Sequence, residues 1–380
     1  MASSIETTST TTTLKNNGNT YLSVDTNDDV AITNTLTATS PTFVTPNIGA
    51  ATVTSLNGGQ LGGRRNIVYN GEMKVAQRSA SETGLGAASG YFTVDRFGIF
   101  TDNSAGRFTM AQVADGPAGF ANCLKLTTTT ADTSIAASEY LILQQRFEGQ
   151  DLQQLQKGTA TSKQVTVSFY VKGNASATYT CELNDVDNTR QIAQEFAVTT
   201  SWNRIELTFA ADTSDPLDDD NARSLDFNFW LHAGSNYTGG TFSSNAWKDG
   251  VANTRVSDSQ TSIYDSTDRT FFITGLQMET GATATAFESR SYGTELALCQ
   301  RYYQTFGEAN GAIRGTTTNS RTVYNQCIPP MRATPTVTIT WTSGTTATSS
   351  VASTGFESLT TLANTTSLAD QTGATATAEL

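Results

Sequence analysis

Val165-Thr166-Val167-Ser168-Phe169-Tyr170-Val171 and Leu225-Asp226-Phe227-Asn228-Phe229-Trp230-Leu231 are short runs of β-branched and aromatic residues. Such runs favour extended backbone because branched and flat side chains pack well on a pleated surface. Runs of the same type recur from Asn66 to about Phe287: Tyr91-Phe92-Thr93-Val94, Phe97-Gly98-Ile99-Phe100, Leu124-Lys125-Leu126, Tyr140-Leu141-Ile142-Leu143, Thr178 to Leu183, Ile205 to Phe209 and Thr270 to Leu276. Turn-forming clusters separate them, which predicts an antiparallel β-sandwich. A single body of this length fits a jelly-roll-like sandwich with long loops better than an immunoglobulin-like unit of about 100 residues.

Outward from this body the pattern changes on both sides. Residues 1–64 are rich in Ser and Thr and poor in aromatics, with weak strand signals at Tyr21 to Ile32, around an Asn27-Asp28-Asp29 turn, at Thr35 to Thr39 and at Ala51 to Leu56. A segment of this kind cannot bury a core alone. It reads either as an extended, interlaced trimeric β shaft, whose strands take partners from other chains, or as a disordered linker. The glycine-dense stretch Asn57 to Arg65 is a hinge, and the body spans 65–306. Helices are predicted at Gln150 to Lys157, closed by Gly158, and at Glu295 to Phe306, closed by Gly307, both as packing elements. Residues 307–380 hold a Pro-rich turn, Ile328 to Pro335, and a Thr-rich end that reads as a small β region or tip. The expected class is therefore all-β.

Composition narrows the function. The 380 residues carry 23 Lys and Arg against 35 Asp and Glu, a net charge of −12, which excludes an electrostatic grip on nucleic acid or anionic membranes. The hydrophobic fraction of 37% and charged fraction of 15% fall below the roughly 45–50% and 25% of ordinary soluble domains. Thr, Ser, Asn and Gly fill the difference, a composition closer to fibres and extracellular β modules than to a metabolic enzyme. The N-terminal residues lack the basic and apolar regions of a secretory signal, and no apolar run is long enough to span a bilayer. Cys123, Cys181, Cys299 and Cys327 lack C-x-x-C spacing and read as reduced, small hydrophobes.

One histidine, His232, rules out a three-histidine zinc site, and no nucleophile elbow, P-loop or H-E-x-x-H occurs. Paired-carboxylate chemistry stays open only because acidic residues are many. The acidic run around Asp215, Asp218, Asp219 and Asp220 offers hard oxygen ligands that could hold calcium, or else forms a solvated turn; it lacks the spacing of a dedicated calcium loop. The long segment after Leu231 mixes aromatics with small polar residues, the profile of a sugar-binding loop. His232, Asn236, Tyr237, Phe242 and Trp247 are its candidate carbohydrate contacts, with core or trimer contacts as the competing reading for the aromatics. Trp202 and Trp230 read as core.

Six ordered blocks resemble the tail fibre, or receptor-binding, proteins of tailed bacteriophages, including those of marine and cyanobacterial hosts. They are Arg65 to Arg78, Tyr91 to Phe97, Phe147 to Leu152, Val167 to Lys172, Phe272 to Glu279, and Glu295 to Tyr303. Phe97 stands where that family often has Trp. The resemblance implies a non-enzymatic virion adhesin made in the host cytoplasm. It would be a homotrimer docked by its N-terminus to a tail, baseplate or adaptor protein, binding bacterial surface polysaccharide without a cofactor. A head fibre or capsid decoration protein and a polysaccharide depolymerase are the alternatives.

Overall fold

A computed structural model describes the backbone of residues 3–7, 11–16, 19–25, 30–31, 64–102, 104–308, 312–314, 319–341, 345–362 and 371–380, and the side chains of 64–102, 104–308, 323–341, 350–358 and 371–380. The chain divides into two compact units, Met1–Thr52 and Val53–Leu380. In the first, β1 (Ser3–Thr7), β2 (Thr11–Asn16), β3 (Asn19–Asp25) and β4 (Val30–Ala31) form one antiparallel sheet in chain order. Within the chain β1 pairs with β2, β2 with β3 and β3 with β4, which leaves β1 and β4 as the sheet's edges. The expected strands at Thr35 to Thr39 and Ala51 to Leu56 lie outside the described residues.

The second unit is built on two antiparallel sheets. One runs β16 (Lys248–Asp249), β13 (Arg190–Val198), β12 (Ala177–Asp185), β15 (Arg223–Ala233), β10 (Tyr140–Glu148), β7 (Gly98–Asp102), β6 (Gly90–Tyr91). The other runs β14 (Asn203–Phe209), β11 (Val165–Gly173), β17 (Thr270–Thr280), β9 (Cys123–Thr130), β8 (Arg107–Val113), β5 (Ser81–Leu85). Strands distant in sequence are neighbours in each sheet, giving a jelly-roll-like sandwich. Alternate residues of β11 and β15 meet between the sheets: Phe169 sits edge-on to Phe229, with ring centroids 5.0 Å apart, and to Phe196 at 5.1 Å. Each such ring contributes about 1.5–3 kcal/mol by leaving water. All four cysteines are free and buried.

Both predicted helices are shortened. Gln150 to Lys157 forms two 3₁₀ turns, Gly149–Asp151 and Gln153–Leu155, ending where Gln156 takes a left-handed φ of 51°. α1 (Ser235–Thr238) is a single turn, and α2 (Tyr292–Gln300) starts at Ser291, whose Oγ accepts the Thr294 amide at 3.3 Å. The chain then leaves the helix because β18 (Tyr303–Phe306) pairs with β24 (Gln371–Thr377), which also pairs with β21 (Thr336–Trp341). A four-stranded sheet of β19 (Ala312–Arg314), β20 (Asn319–Gln326), β23 (Gly355–Leu362) and β22 (Thr345–Ala352) completes the unit.

Polar ties lock this framework. Asn70, in a left-handed conformation at φ 56°, bonds through its amide to the Val75 and Asp95 carbonyls and through its carbonyl to Val75 N. Beside it, a Cβ on Gly71 would stand 2.2 Å from the Leu276 carbonyl, so only glycine fits there. At the C-terminal seam Arg96, fully buried, lies over the Tyr302 ring at 3.4 Å, pairs with Glu379 and donates to the Arg146 carbonyl at 2.6 Å. The Tyr302 hydroxyl and Arg301 meet in turn on buried Glu148, at 2.5 and 2.6 Å.

Removing Glu379 would leave that guanidinium buried without its counter-ion. Glu379→Ala should therefore lower the stability of the body by about 3–5 kcal/mol in urea unfolding. A second expectation concerns alkali. Burial, with Asp151 adding to it, raises the Tyr69 phenol to about 12, and burial, with Glu379 adding, raises Tyr91 to about 12. In the unfolded chain both ionise near 10, so their contribution is intact below pH 10 and is lost as the pH climbs toward 12. Thermal melts between pH 9 and 12 should show Tm falling over that window.

Candidate functional site

The outer face of the seven-stranded sheet carries side chains of a kind that a solvated sheet face does not need. Inward residues alternate as Leu225, Phe227, Phe229 and Leu231 on β15, so Asp226, Asn228 and Trp230 point the other way. The register sets them in rows with the neighbouring strands. Thr180, Trp230 and Ile142 form one row, Glu182, Asn228 and Gln144 the next, and Asn184, Asp226 and Arg146 the third.

Glu182 organises the middle row. Its carboxylate is fully buried and accepts from Asn228 Nδ2 and Trp230 Nε1, each at 2.8 Å, and from Arg255 Nε and Nη2 at 2.8 and 2.7 Å. Asn228 in turn accepts from Gln144 at 2.6 Å, and Gln144 from Arg146 Nε at 2.6 Å. A chain of donors thus runs from Arg146 to the carboxylate. Burial works against the charge on Arg255, but the Glu182 carboxylate outweighs it and holds the guanidinium above its ordinary range.

An aromatic cluster stands at one end. Trp230 lies 5.2 Å from Tyr237 and 6.1 Å from Tyr140 between ring centroids, and the two tyrosines meet edge-on at 5.4 Å. Arg255 covers the indole at 4.9 Å. Tyr237 reaches this place because Gly234 lets the chain pass against the Ala136 carbonyl, which a Cβ would approach to 2.1 Å. Asn236 N then bonds Ala137 O at 2.9 Å, and Tyr237 O accepts Val256 N at 3.1 Å. Burial first, then Asp102, raises the Tyr140 phenol; burial and Tyr140 raise that of Tyr237. Both hydroxyls stay protonated at neutral pH and can donate or accept.

At the other end Arg223 holds Asp226, with Nε to Oδ1 at 2.6 Å, and Asn184 donates to the same carboxylate at 3.1 Å. Arg146 lies over Phe100 at 4.0 Å and donates to the Leu380 carbonyl. Between the two ends is an open groove of about 210 Å³. Its mixture of ring faces, guanidiniums and amides suits a polyhydroxylated ligand lying across the sheet.

The residues expected from sequence fall in different places. Tyr237 lines this groove, and Asn236 lies beside it, exposed, in a wider hollow shared with Tyr237. His232 is buried, with Nδ1 2.7 Å from Ser262 Oγ and its ring edge-on to Tyr264, so it offers no atom to a surface ligand. Burial lowers its basicity, partly offset by Glu139. Trp247 packs against the main core, its Nε1 donating to the Ala210 carbonyl at 2.7 Å, and Phe242 lies under Lys248 at 5.4 Å; neither lines the groove. Trp230, read as core, is buried but belongs to the outer face. Trp202 is half-buried, edge-on to Phe272 with Lys172 over it at 5.1 Å.

The acidic run forms turns. Asp220 Oδ1 accepts Ala222 N at 2.8 Å, the Asp218 amide donates to Asp187 at 3.0 Å, Asp215 gives its carbonyl to Lys157 at 2.9 Å, and Asp219 is exposed. Among the described residues no three His, Cys, Asp or Glu side chains converge as metal ligands would.

No family model and no curated protein matches the chain. Among solved structures, it is similar to a carbohydrate-binding module described as CBM4 (13% identity over 56% of this chain and 97% of that one, TM-score 0.28). A family 11 carbohydrate-binding module of a Clostridium thermocellum cellulosomal cellulase matches at 14% identity over 55% and 99% of the two chains, TM-score 0.26. The enzymatically active domain of a tailspike protein of bacteriophage CBA120 matches at 12% over 57% of this chain and 21% of that one, TM-score 0.30.

The Glu182 node yields a direct test. In Glu182→Gln an amide NH₂ would face the donors Trp230, Asn228 and Arg255, and Arg255 would lose its counter-ion. Stability should drop by about 3–5 kcal/mol, with a red shift in tryptophan fluorescence as the indole gains water.

Proposed function

We propose that this protein is a non-catalytic adhesin that binds a bacterial surface polysaccharide through the groove on the seven-stranded sheet. The observation that carries the reading is the placement of the half-buried Tyr140 and Tyr237, packed on the buried Trp230, at one end of a row of fixed amides and guanidiniums. Aromatic faces meet the C–H surfaces of a sugar ring, and pre-oriented polar groups meet its hydroxyls at low entropic cost. The groove is open at the surface, which suits a chain lying across it better than an enclosed metabolite.

The non-catalytic part rests on the carboxylates. Glu182 and Asp226 are both held by guanidiniums and buried, side-chain exposures being 0% and 2%, so neither stands ready to protonate a leaving group or to attack a sugar. The resemblance to phage tail fibres supports a virion location, an N-terminal attachment to the particle and a homotrimer. Three weak sites on one rigid particle component convert to firm adsorption through effective concentration.

Fluorescently labelled protein should adsorb to intact host bacteria and lose that adsorption after periodate oxidation of surface glycans; binding that survives oxidation would sink the reading. Tyr237→Ala removes a half-buried ring at the groove edge. It should weaken binding to purified host polysaccharide at least about tenfold, equal to about 1.4 kcal/mol, in isothermal titration calorimetry run at a temperature where the melting curve shows the body of the variant still folded.

A further inference from the structure

Every guanidinium of the groove already has its partners. Arg146 sets Nη1 on the Leu380 oxygen and Nε on Gln144, Arg223 gives its Nε and Nη2 to Asp226, and Arg255 gives the same fork to Glu182. The two carboxylates are equally occupied and lie beneath the surface, with side-chain exposures of 2% for Asp226 and 0% for Glu182. A charged sugar of either sign would find no spare counter-charge here and would lose its own hydration on entering. The groove is also small. At about 210 Å³ it falls short of the roughly 300–1,000 Å³ of ordinary small-molecule sites.

Room continues past Tyr237. That residue lines both the groove and the wider hollow of about 550 Å³, whose other walls include Ser235, Asn236, Val251, Ala252 and Asn253 and carry no charge. Backbone bonds fix those walls against each other: Gly240 N donates to Asn253 O at 2.7 Å and Val256 N to Tyr237 O at 3.1 Å, while a 3₁₀ turn, Ala252–Thr254, carries Asn253. The Val251 carbonyl accepts Gln191 Nε2 at 3.3 Å and Thr254 Oγ1 at 3.0 Å, yet its side chain stays 51% exposed. Asn236 and Asn253 are exposed, and among the described residues their carboxamides have no hydrogen-bond partner. A carboxamide both donates and accepts, as a sugar hydroxyl does, and an apolar side chain beside it offers a surface to the C–H face of a ring.

From this we infer that the ligand is an uncharged glycan chain that crosses Tyr237, with one residue in the groove and the next held in the hollow by Asn236 and Asn253. The inference deepens the polysaccharide reading and rests on it. It makes length a condition of affinity, because a single sugar occupies only one of the two places. It also makes binding indifferent to salt, since contacts between uncharged groups are not screened.

The test uses the full labelled chain on bacteria to which it adsorbs. Surface glycan released from those bacteria by mild acid is separated into neutral and acidic fragments by anion exchange, sized, and added as competitor. Neutral fragments should displace the protein, with potency rising at least about tenfold from one residue to about four. Adsorption should change less than about twofold between about 50 and 500 mM salt. The double variant Asn236→Ala, Asn253→Ala should cost the longer fragments at least about fivefold in potency, and Ala252→Leu, which intrudes on the hollow, should do the same; melting curves show that each variant is folded. Displacement by acidic fragments alone, equal potency at every length, adsorption that falls steeply with salt, or a length gain kept in both folded variants overturns the inference. So does a lack of displacement by any neutral fragment. In each of these cases polysaccharide binding stands where periodate abolishes adsorption. Adsorption that survives periodate, or no adsorption to any strain, overturns both.

Discussion

A carboxylate cut off from water must be met by donors on every side, and Glu182 is the point at which that constraint shapes this protein. Desolvating one carboxylate costs several kcal/mol, and here the return comes from four bonds made by three residues, Asn228, Trp230 and Arg255. Each of those residues is fixed in rotation by the bond it makes. The indole plane, the amide orientation of Asn228 and hence that of Gln144 all follow from where one negative charge sits. A groove assembled this way is preorganised before any ligand arrives, and that is the condition under which a shallow site gains useful affinity.

The same logic recurs at the seam with the C-terminal strands, and the two places are connected. Glu148, at the end of β10, is held by Arg301 and Tyr302, and Tyr302 supports the buried Arg96, which reaches Glu379. Arg96 also bonds the Arg146 carbonyl, while the Arg146 side chain reaches the Leu380 carbonyl. Arg146 is thus pinned by its backbone to the core and by its side chain to Leu380. Packing of Glu379 and Leu380 and the form of the groove are one structural problem.

The sandwich was legible in the sequence because β-branched and aromatic runs with turn clusters between them have few other outcomes. The site was partly legible. Parity along Arg223 to Ala233 already separates Phe227, Phe229 and Leu231 from Asp226, Asn228 and Trp230, and a face carrying an acid, an amide and an indole together is not a plain solvent face. Reading Trp230 as core missed that signal. What no strand reveals alone is that β12 and β10 flank β15, since neither adjoins it in sequence; Glu182 and Arg146 join the site only through that pairing. His232 misled because the strand ends with a bulge between Leu141 and Ile142, which turns the histidine into the interior beside Ser262. Trp247 misled because a long polar loop can still fold one ring back onto the core, here through its bond to Ala210. The helices overran because helical periodicity continued past Arg301, whereas β24 offered Tyr303 to Phe306 a better set of partners.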